Sequence, residues 1–338
     1  MILIITNNDV HLSVEEVIDW IEYKNGNYSR IKGEDILSGK HFFSSFLSNE
    51  KSYLKGNIFN DYLKYNIIWF KGFVRNRTYS KSLFSNFKTT NDNITELKLR
   101  FNFESSRINN AILDHFSCPI LPSKESFSIN KIKVLNEAKK IGLLIPSTLI
   151  TNTKKDLIQF YCNQNKQIIS KSLYETVYFQ ENKQIFLYRT SLISQKDLDN
   201  LEDVFFPSMF QKYIEKAYEL RIFILEKEIF SMAIFSQLDE KTKVDFRNYN
   251  EQIPNRTVPY KLPSIIKNKL LKLMNLLNLN TGSIDMIKSK KNEYYFLEIN
   301  PNGQFGMTSY PCNYYLEKKI ANFLMLNDKN NNYGKNIL

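Results

Sequence analysis

Gly282-Ser283-Ile284-Asp285-Met286-Ile287 and Tyr294-Tyr295-Phe296-Leu297-Glu298-Ile299-Asn300-Pro301-Asn302-Gly303 are two β-prone apolar runs, interrupted by one aspartate, one glutamate and one asparagine. Ser289-Lys290-Lys291-Asn292-Glu293 between them carries turn chemistry, so the pair reads as a hairpin. With Lys291 and Asn292 at the tip, Asp285 falls opposite Glu298. Side chains alternate across a strand, which puts Glu298 and Asn300 on one face and, in that register, Asp285 with them. Facing carboxylates repel unless a cation lies between them. Two carboxylates and an amide oxygen make a hard, all-oxygen set suited to Mg²⁺, which also takes waters and nucleotide phosphates as ligands. The other reading of the same residues is a surface hairpin with scattered charge.

Working outward, Asn130-Lys131 is followed by Leu135, Ala138, Gly142-Leu143, Ile145-Pro146 and Thr148. Gln167-Ile168-Ile169-Ser170-Lys171 is a short β-prone run ending in a lysine. Gln211-Lys212-Tyr213-Ile214-Glu215-Lys216 precedes Glu219-Leu220-Arg221-Ile222-Phe223-Ile224, and Asp245-Phe246-Arg247 adds a second arginine ahead of the hairpin. No one segment is specific, but five in this order resemble the ATP-grasp ligases. Glu298-Ile299-Asn300-Pro301-Asn302-Gly303-Gln304-Phe305-Gly306-Met307 and Pro311-Cys312-Asn313-Tyr314-Tyr315-Leu316-Glu317 narrow the resemblance to graspetide (microviridin-type) synthetases, and within them to the grasp-with-spasm maturases.

The resemblance implies an α/β protein with an ATP-grasp fold, two α+β lobes clasping ATP, preceded by a small α/β N-terminal domain. It implies that Lys131 and Lys171 contact nucleotide phosphates, with Lys171 also near the adenine. The backbone around Tyr213 and Ile214 would hold the base, steadied by Gln211. Glu219 is a candidate for the ribose hydroxyls, although a partner for Arg221 or Lys216 explains it equally well. Arg221 and Arg247 would grip the transferred phosphate, where a planar fork is better matched than an ammonium. ATP and Mg²⁺ are the implied cofactors. The implied partner is a ribosomally made precursor peptide with a leader segment, and the implied assembly a homodimer. One departure stands out: Ser172-Leu173-Tyr174-Glu175-Thr176-Val177-Tyr178-Phe179 has none of the glycines that commonly form a lid over the phosphates.

The implied reaction is peptide macrocyclisation by ω-ester or ω-amide bonds. An ATP-grasp ligase adding a free amino acid to a protein or peptide would use the same nucleotide site. A binding module that keeps the fold without catalysis is opposed by Asp285, Glu298, Asn300, Arg221 and Arg247 all being present.

A net charge of +11 over 338 residues favours phosphates and acidic peptides. A nucleic-acid binder would share this charge and the 14% aromatic content. However, the basic residues are spread along the chain, with no basic helix, zinc-finger spacing or RNA-recognition signature. Met1 to Asp9 has no basic leader and too short an apolar run for a signal peptide, and no segment suits a membrane span, so the expected location is the cytoplasm. Cys118, Cys162 and Cys312 are far apart and odd in number, and read as small core residues.

Four divisions are expected: residues 1–118, an α/β domain; 119–208, a first ATP-grasp lobe; 209–326, a second lobe with the nucleotide site; and 327–338, a polar tail. Ile2 to Ile5 reads as a strand, and Ser13 with Glu16 as a capping box opening a helix through Ile21. Tyr65 to Phe70 reads as a buried strand and Ile94 to Phe116 as a long helix. In this first domain the resemblance rests on Asp9, Trp20 and Trp69-Phe70-Lys71 with Arg75 and Arg77.

Overall fold

The computed structural model describes residues 1–7, 12–57, 64–73, 91–173, 177–181, 184–188, 190–239, 242–248, 252 and 254–328. Asp9, His11, Arg75, Arg77, Tyr174 to Thr176 and residues 329–338 of the expected tail lie outside them. By its contacts the chain divides into Met1–Lys124 with Tyr315–Leu338, and Glu125–Tyr314.

The first unit holds β1 (Ile2–Thr6), β2 (Tyr28–Lys32), β3 (Phe43–Leu47), β4 (Ser52–Gly56), β5 (Ile67–Phe70) and β6 (Ile120–Leu121). β2-β1-β5-β6 form a parallel sheet, while β3 and β4 pair as a hairpin. Every residue of β1 and β5 is buried, as continuous apolar strands are when a parallel sheet is covered on both faces. Helix Leu12–Tyr23 turns Val14, Val17, Ile18 and Ile21 inward. It starts one residue before Ser13, which therefore sits in the first turn instead of capping it. The closing helix Leu316–Asn327 packs on helix Leu12–Tyr23 and on β5. It thus falls with the first unit, whereas the sequence reading assigned it to a second lobe. The apolar stripe of that helix announces a buried face without naming the partner. The boundary likewise comes at Lys124, not at 118, because Ile120 and Leu121 extend the first sheet beside β5.

The second unit contains two antiparallel sheets. β7 (Thr148–Thr153), β8 (Ile168–Lys171), β11 (Ser191–Leu192) and β12 (Val204–Lys212) take the order β11-β8-β12-β7, and β9 (Val177–Glu181) and β10 (Gln184–Tyr188) form a separate hairpin. β13 (Lys216–Leu225), β14 (Glu228–Phe235), β15 (Arg256–Pro259), β16 (Thr281–Ser289) and β17 (Tyr294–Asn300) take the order β15-β14-β13-β16-β17. Alternation gives this larger sheet two unlike faces. Leu220, Ile222, Ile284, Met286 and Phe296 enter a core completed by Leu270 and Leu273 of helix Ser264–Leu276 and by Leu135 and Ala138 of helix Lys131–Lys140. Arg221, Asp285 and Glu298 stand on the other face, in one row across three strands. Of the cysteines, Cys312 is buried and Cys118 half-buried, but Cys162 is exposed on helix Lys154–Asn163, contrary to the expectation of a core position.

Candidate active site

The hairpin β16–β17 turns through Lys290, Lys291 and Asn292, with Asn292 left-handed at φ 66°. This is a three-residue loop, one residue out of step with the tip at Lys291 and Asn292. Leu297 is then an extra residue between the Met286–Phe296 and Asp285–Glu298 pairs, a β-bulge that brings Asp285 opposite Glu298 as expected. The bulge has a local effect: Leu297 and Glu298 both line the same cleft. Asn300 pairs with Ser283, on the same face and exposed.

Cations gather on the two carboxylates. Arg221 Nη1 donates to Asp285 Oδ1 at 2.8 Å. Lys171 Nζ lies 3.0 Å and Lys131 Nζ 3.2 Å from Glu298 Oε2, and Arg247 Nη1 is 4.0 Å from Oε1. Lys131 is placed by the helix it opens, where the Asn130 carboxamide accepts from the backbone N–H of Ile132 and Lys133. Its ammonium also donates to the Ser172 carbonyl at 3.1 Å. Lys171 is the last residue of β8. Burial alone would raise the Glu298 carboxyl, but the charges of Lys171, Lys131 and Arg247 outweigh it and hold the group well below the usual carboxylate range. Burial lowers the Lys131 ammonium more than Glu298 raises it.

Arg247 lays its fork on Asp245, with Nε at 2.9 Å and Nη2 at 2.8 Å. That hydrogen bonding raises the guanidinium, and it carries the Asp245 carboxyl downward against burial. Arg221 Nε is buried and meets no acceptor among the described residues.

Beside these charges opens a cleft whose apolar wall includes Ile169, Ile214, Phe246, Met286, Ile287 and Leu297. Gln211, Tyr213 and Glu219 also line it. Gln211 is anchored by donating from Nε2 to Thr148 Oγ1 at 3.0 Å, and the Tyr213 N–H donates to the Gln167 carbonyl at 2.9 Å. Glu219 bonds Lys216 and Ser236, the pairing with Lys216 being one of the alternatives open in the sequence. Burial pushes its carboxyl up, and those two partners only partly oppose it.

Lys216 as a cleft residue, Asp245 as the rest for Arg247, and Leu297 were not expected from the sequence. Lys216 is 2% exposed and also donates to the Val244 carbonyl at 3.0 Å. A lysine at the head of a strongly apolar strand was the available signal. Among the described residues no group of three or more His, Cys, Asp and Glu side chains is placed to hold a metal ion. Asp285 and Glu298, opposed across the ladder, and Asn300 on the same face are hard oxygen donors that fit a divalent cation.

Residues 128–324 match the family model described as the RimK-like ATP-grasp domain. The chain is 26% identical to the macrocyclase MdnC of Microcystis aeruginosa MRC, solved bound with precursor peptide MdnA, with a TM-score of 0.78 over 96% of this chain and 98% of that one. A RiPP-associated ATP-grasp ligase of Chryseobacterium gregarium, in complex with ADP and a leader and core peptide, is 23% identical, with a TM-score of 0.79 over 96% of each chain. The ATP-grasp ligase PsnB, complexed with minimal precursor, Mg and ADP, gives 14% identity and a TM-score of 0.74 over 97% of each chain. The fold is therefore ATP-grasp. No curated protein matches the sequence.

Proposed function

Because the chain belongs to the RimK-like ATP-grasp family, we propose that it is a ligase that activates Asp or Glu side chains of a ribosomally made precursor peptide. A hydroxyl or amine of the same peptide then closes an ω-ester or ω-amide ring. The observation that carries this reading is the row Arg221–Asp285–Glu298 with Lys131, Lys171 and Arg247 gathered on it. What supports the substrate class is the likeness over almost the whole chain to a macrocyclase bound with its precursor.

Phosphoryl transfer between two anions needs positive charge and positioning more than a strong base. Lys131 and Lys171 hold the nucleotide phosphates, and Ile214, Phe246 and Leu297 enclose the base beside the Tyr213–Ile214 backbone. Gln211 steadies that backbone from β12, and Glu219 stays a candidate for the ribose hydroxyls, reached from its bonds to Lys216 and Ser236. Arg247 and Arg221 face the transferring phosphoryl group, the spare Arg221 N–H among their donors. Asp285, Glu298 and Asn300 would hold Mg²⁺, which supplies charge neutralisation at phosphate oxygens when bound. The peptide carboxylate takes the γ-phosphoryl group and ADP leaves. The peptide's own nucleophile then attacks the acyl carbon and phosphate departs, so each bond costs the peptide one water.

Residues 125–208 and the following strands to Asn300 serve as the two lobes of the nucleotide site in this reading. The enzyme works in the cytoplasm as a homodimer, which light scattering of the purified protein tests. Among the described residues no helix is long and apolar enough to cross a membrane.

Incubation with ATP and a leader-bearing precursor from a neighbouring reading frame, followed by tandem mass spectrometry, tests the function. The expected product is lighter by one water per bond, with Asp or Glu joined to Ser, Thr or Lys. The core peptide without its leader should react poorly. A mass gain equal to an amino-acid residue, the amino acid less one water, would establish the free amino-acid ligase instead.

A further inference from the structure

The carboxylates assigned to the divalent cation are already neutralised by the protein's own side chains. Glu298 Oε2 has two ammonium groups, at 3.0 Å and 3.2 Å, and Asp285 Oδ1 has a guanidinium at 2.8 Å. Four cationic side chains, Lys131, Lys171, Arg221 and Arg247, stand against three carboxylates, Asp245, Asp285 and Glu298. A doubly charged ion entering alone would have to displace ammonium groups from a carboxylate whose side chain is only 13% exposed, and would then sit among the cations it displaced. A polyphosphate changes this balance. It offers the lysines several anionic oxygens, and Lys131 and Lys171 reach in from elements outside the larger sheet, a helix N-terminus and the end of β8. Both have long flexible stems, so each can exchange one anionic partner for another by rotation of the side chain. Arg221 differs, because it lies in the strand directly beside Asp285.

We infer that Lys131 and Lys171 are internal counter-ions that keep the Asp285–Glu298 pair closed to a free divalent cation until a nucleotide polyphosphate draws them away. The nucleotide therefore enters before the metal or together with it. This inference rests on the proposed nucleotide site but not on the peptide chemistry. It also gives Lys131 and Lys171 a task in the empty enzyme, since an unpaired carboxylate buried at Glu298 would be costly.

The test uses Mn²⁺ as the probe, read by the loss of free-ion electron paramagnetic resonance signal, and ADP binding read by calorimetry. For the wild-type chain, Mn²⁺ alone should bind at least tenfold more weakly than Mn²⁺ with saturating ADP. ADP should still bind measurably in excess EDTA. Lys171→Met and Lys131→Met should each tighten the binding of Mn²⁺ alone by at least tenfold while weakening ADP. The wild-type titrations need no variant, so they decide the matter even if a substitution prevents folding. Equal Mn²⁺ affinity with and without ADP, or ADP binding that requires prior metal, would overturn the inference and leave the proposed function standing. Absence of ADP binding under every condition would overturn both.

Discussion

Glu298 is the residue on which the most charge converges, and its neutral isostere isolates that role. Glu298→Gln keeps the shape but leaves Lys131 and Lys171 without their anion and the cation without a carboxylate. ATP turnover should fall by about 10²-fold or more, the scale associated with removing a preorganised charge-stabilising group. Asn300→Ala should be milder, because the amide proposed as a ligand is neutral and exposed and contributes less charge. Steady-state ADP release with a peptide substrate measures both. The same carboxylate predicts an acid limit. Its folded pKa is held below the unfolded carboxylate value, so it contributes stability above that value and loses it as pH falls through the depressed one. Glu219 is raised and acts with the opposite sign. Urea unfolding of Glu298→Gln should therefore show a flatter stability profile than wild type below about pH 4.3, the ordinary glutamate value. Arg247 makes a further case. Arg247→Lys preserves charge but cannot reproduce the two-point rest on Asp245, so kcat should drop by about 10²-fold with a smaller change in KM for ATP. A change confined to that KM would make Arg247 a nucleotide-binding residue only.

At the scale of elements, the loop after β17 is as consequential as the strand itself. A Cβ at Gly303 would stand 2.3 Å from Ser283 Oγ and 2.9 Å from the Asn300 carbonyl oxygen, so only glycine lets the loop return over β16. Gly303→Ala should cost about 1–3 kcal/mol, as overpacking does. Thermal unfolding should register this, and Ser283→Gly in the same chain should recover part of the loss beyond additivity. This hairpin also shows how much the sequence discloses. The Asp285–Glu298 pairing was legible because alternation has a period of two and the polar residues punctuate apolar runs. The bulge at Leu297 was not, since two offsets of one residue cancel and leave the expected pair intact. β2 was equally hidden. Tyr28, Ser29 and Lys32 are half-buried polar or amphipathic residues, and only Ile31 is fully buried, so the segment lacks a strand's apolar signal. The Asn130 cap was not read from the sequence, and the rest of Arg247 on Asp245 depends on a turn that no spacing announces.

At the scale of the whole molecule, the first unit is discontinuous: its sheet comes from the beginning of the chain and its closing helix from the end. Leu316, Ile320, Ala321, Leu324 and Met325 bury the inner side of that helix, and Asp328 just beyond it accepts from Asn66 Nδ2 at 2.7 Å. A chain ending at Tyr314 retains every residue of the second unit but loses this cover. In limited proteolysis it should be cut within residues 1–124, while the segment 125–314 persists and still binds ADP. Loss of the entire chain to protease at the same rate would mean that the two units unfold as one.

The discontinuity sets an order of events during synthesis. Residues 125–314 can finish their contacts while β1 and β5, made earlier, still wait for helix Leu316–Asn327, which is made after them. The first unit is thus the later of the two to mature. A product terminated between Tyr314 and the end of helix Leu316–Asn327 carries the whole second unit together with the uncovered, largely apolar strands β1 and β5, the kind of surface that chaperones and degradative proteases recognise.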